Sequence, residues 1–164
     1  MDDLDEGQLR WRPAPQANHV GFLAWHALRI WDLNLGRMRG VSQDEEVWHT
    51  AGLRGQTGYD PRGVGTRGLG VGTGFTTTMV DRVPVGKDAI SAYLEALHRA
   101  TVAHLEGLTP ADLERTTTNA AGATVTGVQL VEGILRHTYQ HLGEADYVRG
   151  LLGIPDPTFP QDEE

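Results

Sequence analysis

Apolar residues recur at helical spacing in three stretches of the chain, and polar or glycine- and proline-rich stretches separate them. In the first, from Val20 to Gly40, Phe22, Leu23, His26, Ile30 and Leu33 share one face, while Trp25, Leu28 and Trp31 cover much of the remainder. A helix apolar on so many sides is expected at the centre of a bundle. The second stretch, 87–107, lines Ile90, Leu94, Leu97, Thr101, His104 and Leu108 along one side. In the third, Thr126 to Leu152, the residues Leu130, Ile134, Ala145, Val148 and Leu152 follow an i, i+3/i+4, i+7 stripe. His137 and His141, four apart, lie on that same stripe.

Helix signals bracket these stretches. Asn18 is the expected N-cap of the first, and Thr126-x-x-Gln129 is a capping box that starts the third. Asp5-x-x-Gln8 predicts a short N-terminal helix stopped by Pro13 and Pro15, and Ser42 with Glu45 predicts another within 42–50. Thr109-Pro110 caps a further short helix through Leu113, and Thr116 to Thr124 reads as a loop or a small hairpin. Nine glycines fall between Gly52 and Gly74, which predicts a long glycine-rich loop (52–86) over one end of the bundle. No strand precedes these glycines and no GK[ST] follows, so a phosphate-binding loop is not expected. The whole chain reads as one domain, 1–164, with a lead-in at 1–17 and an acidic tail at 154–164.

A weak repeat runs through the pattern. LDEGQLRW (Leu4–Trp11) and LTPADLER (Leu108–Arg115) are each a leucine, a cap, a short helix and an arginine. Each precedes a long helix with an inward histidine. In the second half another long helix comes first; its counterpart in the first half would precede Met1, so the first helix of a four-helix bundle is expected to be missing or truncated.

Charge and composition narrow the classes. A formal net charge of −8 argues against a nucleic-acid or anionic-membrane partner, and no apolar run approaches the ~20 residues of a membrane span. The acidic start (Asp2, Asp3, Asp5, Glu6) does not suit a targeting peptide, and a cytoplasmic location is the expectation. With no cysteine, any metal site must use histidine and carboxylate ligands.

The chemistry rests on histidines. Two imidazoles on an apolar face need partners, and a divalent metal satisfies both at once. His26, at the middle of its own apolar face, is the natural third ligand. Three protein ligands leave a position open for water or substrate, and imidazole suits Zn²⁺, Ni²⁺, Cu²⁺ and Fe²⁺. The alternative is that these are core histidines bonded to Thr138, Gln140 or backbone carbonyls. His104 is the rival ligand; His19 reads as a cap or an exposed residue, His49 as a surface residue and His98 as solvated. Asp32 and Glu144 are the candidate carboxylates behind the ligands, and Arg29, Arg136, Arg149, Tyr139 and Tyr147 are candidate contacts for a polar ligand.

WHALRIWD (Trp25–Asp32) together with LRHTYQHLGEADYVRGLLG (Leu135–Gly153) resembles the DinB-like superfamily, which includes the bacillithiol- and mycothiol-dependent transferases. The likeness extends through Leu9–His26 and Ala92–Arg115. It implies an all-α, DinB-type four-helix bundle holding Zn²⁺ or Ni²⁺ through three histidines, which match His26, His137 and His141. It implies a metal-dependent transfer of a low-molecular-weight thiol to an electrophile, with mycothiol favoured by the arginine-rich composition, whose 14 basic residues include one lysine. Two other readings stand beside it: a metal-dependent hydrolase with Asp32 or Glu144 as base, and a non-catalytic, stress-related metal-binding protein. A homodimer is expected, because bundle helices apolar on several faces need covering.

Overall fold

A computed structural model of the protein describes residues 3–154; the expected acidic tail lies outside the described residues except at Ile154. Among these residues are eight α-helices and one two-stranded hairpin. Three helices are long: α2 (Val20–Arg39), α6 (Lys87–Glu106) and α8 (Gly127–Leu151). The others are α1 (Glu6–Arg10), α3 (Val47–Thr50), α4 (Leu53–Thr57), α5 (Thr77–Asp81) and α7 (Pro110–Glu114). The expected all-α class is observed, and the hairpin, β1 (Thr116–Thr118) with β2 (Thr124–Thr126), occupies the segment read as a loop or hairpin.

The central helix is α2. It packs against α1, α3, α6 and α8, and its buried residues fall on every side, as the sequence pattern requires. The repeat is structural as well. A short helix closed by a capping box (Asp5 with Gln8, Thr109 with Asp112) leads into each of α2 and α8. Each long helix then carries a glycine in its first turn that lets the short helix pass close. A Cβ on Gly21 would lie 3.2 Å from the Leu9 carbonyl oxygen, and one on Gly127 would lie 2.8 Å from that of Asp112.

Three expectations shift. The N-cap of α2 is His19, whose Nδ1 accepts the Phe22 N–H at 3.0 Å; the helix starts one residue later than Asn18 predicts. Burial lowers the His19 pKa to about 4, so the ring stays neutral and keeps the lone pair that a cap needs. On α6 the buried side is centred on Ile90, Tyr93, Ala96 and Leu97, and Leu94 is exposed. The helix is rotated toward Tyr93 because that hydroxyl reaches a buried polar cluster on α2. The glycine-rich segment, finally, is not a bare loop over one end. It contains α4, anchored by the buried Leu53, and α5, capped by Thr76, and between them it folds against α2.

That polar cluster fixes the loop. Arg29 is fully buried and donates to Asp32 Oδ2 (2.9 Å), Tyr93 Oη (3.0 Å) and Glu46 Oε2 (2.6 Å). Its remaining Nε–H donates to the Gly70 carbonyl at 3.2 Å. Burial alone would lower the Arg29 pKa, but Tyr93, Asp32 and Glu46 outweigh it and hold the guanidinium charged. Burial pushes the Glu46 carboxyl upward against the pull of Arg29.

Candidate metal centre

One turn before Arg29, His26 makes a matching capture. Its Nδ1 meets the carbonyl of Val71, so residues three apart on α2 hold two consecutive carbonyls of the glycine-rich loop. The neighbour beyond must then be very small. A Cβ on Gly72 would lie 2.8 Å from His26 Nδ1 and 3.0 Å from Phe22 Cζ, and its φ of +103° also favours glycine. Phe22 stacks on the His26 ring at a centroid distance of 5.8 Å and an angle of 4°.

Opposite, α8 presents His137 and His141 through their four-residue spacing. The three rings converge: His26 lies 4.8 Å from each of the other two centroids, which are 4.4 Å apart. One ring nitrogen from each residue falls within 4.8 Å of the others. His26 and His141 are each only 9% exposed, and His137 is half-buried.

The hydrogen bonds orient the rings. A carbonyl only accepts, so His26 Nδ1 carries the proton that it gives to Val71, and Nε2 keeps its lone pair. His141 Nδ1 likewise donates to the Glu144 carboxylate at 2.6 Å, leaving Nε2 as the lone pair. Gln140 donates to the other oxygen of Glu144 at 3.0 Å. Burial raises the Glu144 pKa, but the bonds from Gln140 and His141 win and hold it below the ordinary range. Such a carboxylate–imidazole pair is what fixes the tautomer of a metal-binding histidine.

His141 Nε2 faces His137 Nε2 at 3.2 Å. Tetrahedral Zn²⁺ with Zn–N of ~2.05 Å separates its ligand nitrogens by about 3.3 Å, so this spacing suits one cation shared by both rings. Burial lowers the pKa of His26; burial and then the neighbouring histidines lower that of His137 to about 4. Both are therefore neutral near pH 7, the form that binds metal. The His137 Nδ1 is buried with no partner among the described residues. The donor set thus fits a divalent ion: three converging imidazoles, two of them with a ring proton held on Nδ1 by a neighbouring acceptor.

The other candidates separate cleanly. Glu144 stands behind His141, as expected of a second carboxylate. Asp32 does not reach the site: it is 1% exposed and accepts from Arg29, Tyr93 and the backbone N–H groups of Val47 and Trp48. Arg29 is occupied in the same cluster, and Arg149 pairs with Asp3 at 2.7 Å. His19 is a cap, and His98 is exposed. His104 borders a different cavity with Arg39 and Arg99 and is not part of the triad. His49, expected at the surface, has both ring nitrogens buried without a described partner. Tyr139 and Tyr147 are largely exposed. Sequence reasoning missed Val71, Gly72, Glu46 and Tyr93. The i, i+3 pairing of Arg29 with Asp32 on an otherwise apolar helix was the available signal for a buried ion cluster.

Two cavities flank the triad. One of about 520 Å³ lies on the His137 side, walled by the glycine-rich loop, the hairpin turn and α8. The other, about 550 Å³ and mostly apolar, lies on the His141 side between α2, α6 and α8.

The chain belongs to the DinB superfamily: that family's model matches residues 1–145, a span that includes His26, His137, His141 and Glu144. No curated protein matches the chain.

Proposed function

We propose that this DinB-superfamily protein is a metal-dependent thiol S-transferase, joining a low-molecular-weight thiol such as mycothiol to an electrophile. The observation that carries this reading is the triad between two cavities: three imidazoles converge where two different small molecules have room to meet. Zn²⁺ or Ni²⁺ held by His26, His137 and His141 would supply Lewis acidity that favours thiolate over thiol near pH 7. The chain's own residues do the rest of the preparation. Val71 and Glu144 hold the protons on the Nδ1 atoms of His26 and His141, and Phe22 and Gly72 lock the His26 ring in plane. The loop over His26 limits water on that side. In the net reaction a bond forms from the thiol sulfur to the electrophilic carbon. The leaving group departs with its bonding pair, and the thiol's proton passes to solvent.

The hydrolase reading draws less support, because it needs a carboxylate base at the open side. Asp32 is buried in the Arg29 cluster, and Glu144 is held by His141 and Gln140. The test is elemental analysis of the protein purified without a histidine tag or added metal, beside a His137→Ala/His141→Ala variant. The expected result is about one Zn or Ni per chain, lost in the variant, with metal-dependent thiol consumption in the presence of a chloro-dinitrobenzene. Metal without turnover on any common thiol would leave a non-catalytic, stability-related role. No metal, with a normally folded variant, would reduce the triad to core packing.

A further inference from the structure

The cavity on the His137 side is basic in a protein whose formal net charge is −8. Arg67 and Arg136 line it along with Asn34, Asn119 and Gln129, and no aspartate or glutamate is among its lining residues. Arg136 directly precedes His137, is exposed, and makes no hydrogen bond or ion pair with a described residue. The cavity across the triad differs: it is mostly apolar, and its charged lining residues are Asp3, Asp146 and Arg149, the last paired with Asp3.

Arg67 occupies its place against local preference. Gly63, Gly65, Gly68, Gly70, Gly72 and Gly74 all take positive φ, and Arg67 at +57° is the one non-glycine among the described residues that does so. An arginine pays backbone strain there that glycine or asparagine would largely avoid. Its Nη1 donates to the Ala120 carbonyl at 3.3 Å, and the guanidinium lies against Gly122, where a Cβ would come within 2.5 Å of Nη1. The side chain thus spans from the loop to the hairpin turn, with N–H groups left to face the cavity. Nearby, Arg37 has a buried Nη1 with no described partner, and the Arg67 charge acts on it.

We propose that this cavity recognises a carboxylate-bearing substrate, held by Arg67 and Arg136, with its other end directed at His137. Guanidinium groups pair with carboxylates through parallel N–H···O bonds, which suits an anion better than the neutral polar groups around it. The anion site stands on the arginines; placing the substrate's reactive end at the triad rests on the transferase reading. The carboxylate belongs either to the thiol or to the electrophile, and the same titration separates the two.

The experiment follows binding by NMR chemical-shift titration of the protein as purified, with two probe pairs matched except for charge. Mercaptoacetate against 2-mercaptoethanol reports on the thiol, and chloroacetate against chloroacetamide reports on the electrophile. Wild type, Arg136→Gln and Arg67→Asn are compared, with thermal unfolding of each. The charged member of one pair is expected to bind roughly tenfold or more tightly than its neutral partner, and each substitution to remove most of that preference. The pair that responds identifies which substrate carries the charge. Arg67→Asn is expected to melt at or above the wild-type temperature, since asparagine tolerates the left-handed backbone.

Equal binding of charged and neutral probes in both pairs overturns the proposal. So does a preference that survives both substitutions, which would mean ligation at the triad alone. Lower stability of Arg67→Asn with an intact preference would make Arg67 a tie between loop and hairpin, and the proposal fails again. An arginine-dependent preference in a protein that holds no metal would leave the anion site standing while the transferase reading falls. Metal without the preference does the reverse.

Discussion

Replacing Asp32 with asparagine separates a structural carboxylate from a catalytic one. The Asp32 side chain accepts four hydrogen bonds: Val47 N–H on Oδ1 (2.8 Å), and Arg29 Nη1 (2.9 Å), Trp48 N–H (2.9 Å) and Tyr93 O–H (2.7 Å) on Oδ2. All four are buried, so no water replaces what is lost. The less damaging orientation of an amide puts its oxygen in place of Oδ2 and its NH₂ in place of Oδ1. There the NH₂ faces the Val47 N–H, donor against donor. The substitution also removes a charge beside Arg29, which is 0% exposed. Breaking one side of a buried ion pair costs about 3–5 kcal/mol. At ~2–4 °C per kcal/mol for a domain of this size, Asp32→Asn should melt roughly 6–20 °C below wild type. Circular dichroism gives the melting temperature; metal content and thiol turnover are read in the range where the variant is folded. Both should match wild type, because Asp32 does not touch the triad. An unchanged melting temperature combined with lost turnover or metal would refute the structural assignment and restore Asp32 as a candidate base.

Two other outcomes follow from the geometry. His19 has its pKa lowered to about 4 from an ordinary 6.5, so its contribution to stability is complete above pH 6.5 and is lost as pH falls toward 4. That loss is about 3 kcal/mol at pH 4, and His19→Asn, which keeps a capping side chain, should flatten the denaturant-measured stability by that amount between pH 7 and 4. Equal pH slopes in the two proteins would show that His19 protonates freely in the fold. Gly72→Ala places a methyl 2.8 Å from His26 Nδ1 and forces φ of +103° on alanine, so the loop must withdraw and release the Val71 carbonyl. Metal affinity, measured by competition with a chromophoric chelator, should fall about 10–100-fold; an unchanged affinity would mean that the loop does not orient His26.

Much of this protein is written locally. Helical periodicity and capping chemistry act within a few residues, so the three long helices, the short capped helices before α2 and α8, and the inward stripes carrying His26, His137 and His141 can be read without coordinates. The Glu144 bond to His141 is equally local, being one turn of the same helix. Tertiary structure decided what depends on pairs distant in the chain. That His26 meets two histidines more than a hundred positions later follows from α2 packing on α8, which periodicity permits but does not specify. The rotation of α6 follows from Tyr93 reaching Arg29 and Asp32, a bond between helices that outweighs a leucine's preference for the interior at Leu94. The glycine-rich segment was the least legible, because glycines impose no periodicity. Its path is set by the two carbonyls that His26 and Arg29 capture, and only that capture reveals why Gly72 must lack a side chain and where Arg67 is aimed.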